Sequence, residues 1–228
     1  MTDTFTYAPP TDPWLTVVHQ DRDMLVVDKP AGLLSVPGRG ADRADSVMSR
    51  VLRDHPGAFY VHRLDMDTSG LLVVALRRKA EAELKRQFRE RLVEKVYRAR
   101  VWGVVPEDSG VITLPLGPDP SEPLRHRVDH EAGKPAETAW RVLAREGGET
   151  LLALRPRTGR SHQLRVHLVA LGFPILGDRF YAPPEVRARA PQLCLHAGEL
   201  AFSHPYSGAP VRFCTVAWPA WATGGRAG

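Results

Sequence analysis

Hydrophobic positions change their period several times along this chain, and each change marks an element. Leu15 to Val18 and Met24 to Val27 predict two short strands with a turn around Asp21 to Asp23. Lys29-Pro30-Ala31-Gly32 then breaks the second strand, because Pro withdraws a ladder donor and Gly permits a positive φ. Residues 45–54 predict a short helix, and the continuous apolar run at 71–76 predicts a strand covered on both faces. From Lys79 to Leu92 the apolar residues Ala80, Leu84, Phe88 and Leu92 recur every four positions, a narrow stripe on a strongly charged helix. Residues 93–102 switch to period two: Val93, Tyr97, Ala99 and Val101 point one way, Glu94, Arg98 and Arg100 the other. Further strands are expected at Glu137 to Leu143 and Thr150 to Leu154. Residues 161–171 read as a helix in which Leu164, Leu168 and Leu171 share a face and Gly172 supplies a left-handed stop. Late strands near 193–202 and 211–216 complete the pattern. Many strands with few helices predict an α+β fold, a single domain with a mixed, largely antiparallel sheet. That domain is expected at 14–218, between a flexible leader at 1–13 and a flexible tail at 219–228, both rich in Pro or Gly.

Composition narrows the class. At 228 residues, with 43% hydrophobic and 25% charged positions, the chain is long enough for a sizeable core without staples. Its two cysteines, Cys194 and Cys214, read as reduced core thiols, too few for a four-cysteine zinc site. The first basic residue is Arg22, which gives a signal peptide no positive start, and no apolar run approaches the ~18 residues of a membrane span. A cytoplasmic protein is expected.

The net charge of +5 is unevenly spread. Residues 77–100 hold 10 Lys/Arg against 4 Asp/Glu, and Arg155, Arg157, Arg160 and Arg165 cluster with no acid between 155 and 167. A focused positive field is the footprint of a polyanion partner.

Three segments carry candidate chemistry. His62-Arg63-Leu64-Asp65-Met66-Asp67-Thr68-Ser69-Gly70 places a carboxylate and a guanidinium in a tight turn at the mouth of a buried strand. Taken alone, that is a charged surface turn of little consequence. The second segment, Arg157-Thr158-Gly159-Arg160-Ser161-His162-Gln163-Leu164-Arg165-Val166-His167, turns at Gly159 into a helix whose first amides favour an anion. The five-residue spacing of His162 and His167 does not fit the i,i+4 metal pair of zincin helices. The third is Glu94-Lys95-Val96-Tyr97-Arg98-Ala99, which turns a tyrosine inward beside a basic strand edge.

Together with Lys29-Pro30-Ala31-Gly32, and with the smaller echoes Pro174-Ile175-Leu176-Gly177-Asp178 and Leu195-His196-Ala197, these segments resemble the RluA family of pseudouridine synthases over about residues 14–216. The resemblance implies a pseudouridine-synthase catalytic domain without the amino-terminal S4 module that many relatives carry. It makes Asp65 the catalytic aspartate, Tyr97 the active-site tyrosine and Arg165 the basic partner of the aspartate. It puts Arg63, His62, Lys95, Arg160 and His162 at the RNA. The implied reaction breaks the uridine N1–C1′ bond, turns the base and joins C5 to C1′. Asp65 acts in it as a nucleophile or as a stabiliser of positive charge at the sugar, two roles the residues leave open. No metal or cofactor is implied. The expected partners are stem-loops of tRNA and 23S ribosomal RNA, with no membrane, no obligate protein partner and a monomeric enzyme. Arg63 is expected to fill the space left by the flipped base or to pair with a phosphate. The basic helix at 79–92 is expected to track phosphates, and the stretch 118–134, with Arg125, His126, Arg127 and Lys134, to shape RNA selection.

Two other classes use similar residues. A glycosidase releasing uracil needs a second carboxylate committed to water, and Asp67 reads instead as a turn residue. A non-catalytic RNA-binding module needs the basic surface but neither the inward Tyr97 nor Arg165.

Overall fold

The alternation and stripes read from the sequence become strands and helices in a computed structural model that describes residues 6–223. The chain forms two compact units. The first comprises residues 1–93 and 201–216; the second comprises residues 94–200 and 217–228. The extreme ends of the expected leader and tail, residues 1–5 and 224–228, lie outside the described residues.

In the first unit, β1 (Thr16–Gln20) and β2 (Met24–Lys29) form an antiparallel pair closed by the Asp21 turn. Asp21 Oδ1 accepts the amides of Asp23 and Met24, the local bonding that makes Asp a turn residue. Helix α1 (Val47–Asp54) starts at a capping box, in which Ser46 Oγ accepts the Ser49 amide and Ser49 Oγ accepts the Ser46 amide. The pair β3 (Phe59–Tyr60) and β4 (Ser69–Ala75) follows, with β2 on the other edge of β4. Every residue of β4 is buried, as its uninterrupted apolar run demands.

Helix α2 (Arg78–Arg89) buries Ala80, Leu84 and Gln87, but it stops short of Leu92. Arg91 is left-handed (φ 61°), and the Arg91 and Leu92 amides donate to Phe88 and Gln87 carbonyls. This Schellman cap turns Leu92 out of the apolar stripe and leaves it 54% exposed. The charges of α2 pair along its own surface: Arg78 and Lys85 with Glu81, Arg86 with Glu83 and Glu90. These pairs engage Arg78, Lys85 and Arg86, while the stretch 77–100, with 10 Lys/Arg against 4 Asp/Glu, keeps its positive excess.

In the second unit, β5 (Glu94–Trp102) keeps the predicted alternation in its second half, with Ala99 and Val101 buried, while Val96 is buried on the opposite face. Then come β6 (Ser109–Ile112), the hairpin β7 (Leu116–Pro118) and β8 (His126–Val128), β9 (Thr138–Glu146) and β10 (Glu149–Pro156). β10 lies between β5 and β9, β6 borders β9, and these pairs and the hairpin are antiparallel. Helix α3 (Gln163–Ala170) packs Leu164 and Leu168 onto that sheet among Ala99, Val101, Trp140, Leu152 and Leu154. It ends as expected at left-handed Gly172, with Phe173 N–H donating to Leu168 O, though Leu171 sits in the cap and is exposed. After the short α4 (Pro184–Arg187), β11 (Leu195–Ser203) gives its first six residues to this unit and its last three to the first, where β12 (Pro210–Cys214) follows. The α+β class of strands with few helices is the one the chain adopts.

The described parts of both chain ends are fastened. Tyr7 Oη donates to Asp45 O and accepts the Leu34 amide. The guanidinium of Arg50, 1% exposed, spans Asp45 and the carbonyls of Pro10 and Trp14. At the other end, Arg100 and Arg98 donate to the carbonyls of Trp221 and Ala222. Of the two thiols, Cys194 is buried and pushed up to about 12 by that burial, whereas Cys214 is exposed and not a core residue.

Arg50→Met removes a buried cation and leaves two carbonyls and Asp45 without their donor. It is expected to lower stability by about 3 kcal/mol, read as a lower urea midpoint, and to expose the chain ahead of Trp14 to protease.

Candidate active site

The candidate catalytic carboxylate is held by its neighbours' backbones. Lys29, at the end of β2, is fully buried, and its Nζ donates to the carbonyls of Pro30 (2.9 Å), Leu33 (2.7 Å) and Met66 (2.9 Å). Three acceptors match the three N–H bonds of an ammonium. Met66 O also accepts the Gly32 amide at 2.9 Å, and Gly32 makes that turn with φ 84°, a conformation that disfavours other residues. On the other side of Asp65, Ser35 Oγ donates to Leu64 O (2.8 Å) and accepts the Leu64 amide (3.0 Å). Asp65 O itself accepts the Thr68 amide at 3.1 Å. The Lys-Pro-Ala-Gly turn and Ser35 thus pin the residues on the two sides of a half-buried Asp65. Burial drives the Lys29 amine down to about 7, against the pull of Asp67, Asp65 and Asp28. The sequence marks this turn as a strand break; that its lysine is buried under the Asp65 loop is legible only in three dimensions.

The flanking residues divide by role. Arg63 is exposed, with no hydrogen bond or ion pair among the described residues. His62, expected at the RNA, is half-buried: its ring stacks on Phe88 at 4.4 Å and its Nε2 accepts the Val73 amide.

Tyr97 and Arg165 belong to the second unit. Tyr97 is partly buried against the core of that unit, on the inward face of β5. Lys95 shares its face by strand alternation; it has no hydrogen bond or ion pair among the described residues, and burial lowers its amine to about 8. Arg165, on the first turn of α3, is 2% exposed and makes a two-pronged pair with Asp178: Nε to Oδ2 at 2.8 Å and Nη2 to Oδ1 at 2.6 Å. Phe180 and Tyr181 bring their ring centroids to 5.1 Å from its Cζ. In the sequence Asp178 is only part of a minor echo, because its partner lies thirteen positions upstream on another element.

The turn before α3 is a polar hub rather than an open row of amides. Gln163 Oε1 accepts the Arg160 amide and the Thr158 hydroxyl, while its Nε2 donates to Glu137 O and Thr138 Oγ1. Arg160 donates from Nε to Pro135 O at 3.2 Å, and His162, left-handed at φ 54°, lies 2.6 Å from Tyr181 Oη through Nδ1.

Among the described residues, Asp21, Asp23 and His204 group as a metal site would. His204 Nδ1 accepts the amides of Tyr206 and Ser207, so Nε2 carries its proton and donates to Asp21 Oδ2. The cluster points an N–H, not a lone pair, at the carboxylate.

Comparison with known proteins agrees with this architecture. Residues 23–170 match the RNA pseudouridylate synthase family, and the chain is 55% identical over 209 residues to the dual-specificity RNA pseudouridine synthase RluA of Escherichia coli strain K12, covering 91% of this chain and 95% of that protein. The chain belongs to the RluA family of RNA pseudouridine synthases. Its Pasteurella multocida relative of the same name is 54% identical over 200 residues, covering 87% and 91% of the two chains. Among solved structures, human RNA pseudouridylate synthase domain containing 1 superposes with a TM-score of 0.77 at 32% identity, over 92% of this chain and 86% of that one. Domain containing 4 gives 0.71 at 25%, over 91% and 90%. This pseudouridine synthase is an isomerase: it converts uridine in RNA to pseudouridine. None of its helices, among the described residues, is long and apolar enough to cross a membrane.

The hydrogen bonds of Lys29 go to backbone carbonyls around the pseudouridine synthase loop. Lys29→Met is therefore expected to cost about 3 kcal/mol of stability while kcat, assayed well below the unfolding temperature, falls less than about tenfold. A collapse of kcat in a fully folded variant would give the amine a direct part in the chemistry.

Proposed function

We propose that Asp65 is the catalytic carboxylate of this pseudouridine synthase, with Tyr97 and Arg165 as its active-site partners, in a catalytic domain spanning residues 14–218. The observation that carries the reading is the clamp on the Asp65 loop, where Lys29, Gly32 and Ser35 fix the backbone immediately before and after one carboxylate. A residue so positioned serves a reaction in which a single group meets a flipped nucleotide at a fixed distance. Tyr97 supplies an aromatic face for the detached uracil and a hydroxyl for proton transfer from C5. Arg165 supplies positive charge on a guanidinium already oriented by Asp178.

Arg63 is the residue assigned to the gap left by the flipped base or to a phosphate beside it. Its exposure and lack of a partner among the described residues support that role. His62, Lys95, Arg160 and His162 are assigned to RNA binding beside it. The dual specificity in the relatives' name supports two RNA substrates; the proposal takes these to be stem-loops of tRNA and 23S ribosomal RNA, and the enzyme to act as a monomer in the cytoplasm.

The test uses RNA tritiated at uridine C5, offered as tRNA and as 23S ribosomal RNA. Wild-type enzyme is expected to release tritium from both RNAs without freeing uracil. Asp65→Asn is expected to lose at least about a thousandfold in rate while binding RNA nearly as well. Release from one RNA alone would refute dual specificity, and an active Asp65→Asn would refute the catalytic assignment. Arg63→Ala is expected to reduce kcat/KM about tenfold through lost stabilisation of the flipped state; unchanged turnover and affinity would remove Arg63 from the interface.

A further inference from the structure

The segment from Asp178 to Tyr181 surrounds Arg165. Asp178 grips the guanidinium edge at 2.6 and 2.8 Å, and the rings of Phe180 and Tyr181 flank it. The same two residues hold the carboxylate, because the amides of Phe180 (2.9 Å) and Tyr181 (3.2 Å) both donate to Asp178 Oδ1. The cradle is one short piece of chain, and its orientation relative to α3 fixes the direction of the guanidinium.

That orientation is set at the Tyr181 hydroxyl. Tyr181 Oη accepts the backbone amide of His126 on β8 at 2.9 Å and meets His162 Nδ1 at 2.6 Å. His162 is the left-handed residue from which α3 departs, three positions before Arg165, and its ring lies over Phe180 at 5.7 Å with an interplanar angle of 22°. The Tyr181 ring packs against the small cluster of Leu116, Ala136 and Val166 that seats the β7–β8 hairpin on α3. One oxygen therefore joins the hairpin, the start of the helix carrying Arg165, and the loop gripping it.

We propose that Tyr181 is a positioning residue for Arg165, its hydroxyl fixing the aromatic and carboxylate cradle so that the guanidinium is held in one direction during the isomerisation. The inference rests on the reading of Arg165 as an active-site residue. Misplacing such a group by an ångström is enough to cost about a hundredfold in rate. A cradle tethered at one end less is expected to cost part of that.

Tyr181→Phe deletes only the oxygen and leaves the ring and the amide bond to Asp178. The expected result is a kcat about tenfold lower, with the Kd for tRNA, measured in an Asp65→Asn background, changed less than about twofold. The decisive comparison adds Tyr181→Phe to Arg165→Lys, where it is expected to cause no further loss. His126→Pro, which removes the amide donor from the hairpin side, is expected to lower kcat in the same direction. Unchanged kcat in Tyr181→Phe, or a full independent loss on top of Arg165→Lys, would overturn the proposal and leave the hydroxyl a stabilising contact only. Normal kcat in Arg165→Lys alone would overturn the reading of Arg165 and the inference with it. Should Arg165→Lys not fold, Asp178→Asn takes its place in the comparison.

Discussion

One ammonium group under the Asp65 loop sets the terms for the first unit. The Nζ of Lys29 has no access to water, and its three donors are spent on the carbonyls of Pro30, Leu33 and Met66. A buried charge left incompletely bonded would be strongly destabilising, so the three strands of backbone must converge on that point. The end of β2, the glycine turn and the loop after β3 are thereby fixed together, and Asp65 comes to rest beside a cation it does not need to contact to feel.

The pattern extends across the protein. The largest fully buried side chains are Arg50, Arg165 and Lys29, all cations, and each gathers chain segments distant in sequence. Arg50 gathers the described start of the chain onto α1, and Arg165 gathers the Asp178–Tyr181 segment onto α3. Apolar burial supplies the cohesion of β4 and β5, but it is tolerant of direction. The buried cations add directional bonds where loops, rather than strands, must be held in place.

Much of this was legible in the sequence, and the limits are physical. Long periodic segments announced themselves: the alternation of β5, the unbroken run of β4 and the Gly172 stop of α3 all depend on neighbours a few positions away. The pieces missed were β3, β6, the β7–β8 hairpin and α4, each too short to show a period. Leu92 continued the stripe by count but fell beyond a left-handed arginine, a cap that a non-glycine residue does not advertise. The Asp65 loop, Tyr97 and Arg165 were singled out by residue type and context. Their supports (Ser35 under Leu64, Asp178 around Arg165, the Tyr181 hydroxyl on His162) join positions separated by more than a helical turn and leave no local signal.

The self-paired surface of α2 changes how this enzyme meets a polyanion. Each Glu81, Glu83 and Glu90 already occupies a basic neighbour, so a phosphate approaching the helix encounters bound pairs and must compete with a tethered carboxylate. Such an exchange swaps one anion for another and frees few of the cations condensed along the RNA. Bare charge also rests with residues such as Arg63 and Arg155, which have no acidic partner among the described residues. The basic stretch thus carries charge of two kinds: Arg78, Lys85 and Arg86, whose carboxylate partners a phosphate must displace, and a surplus of cations that no acid of the stretch offsets.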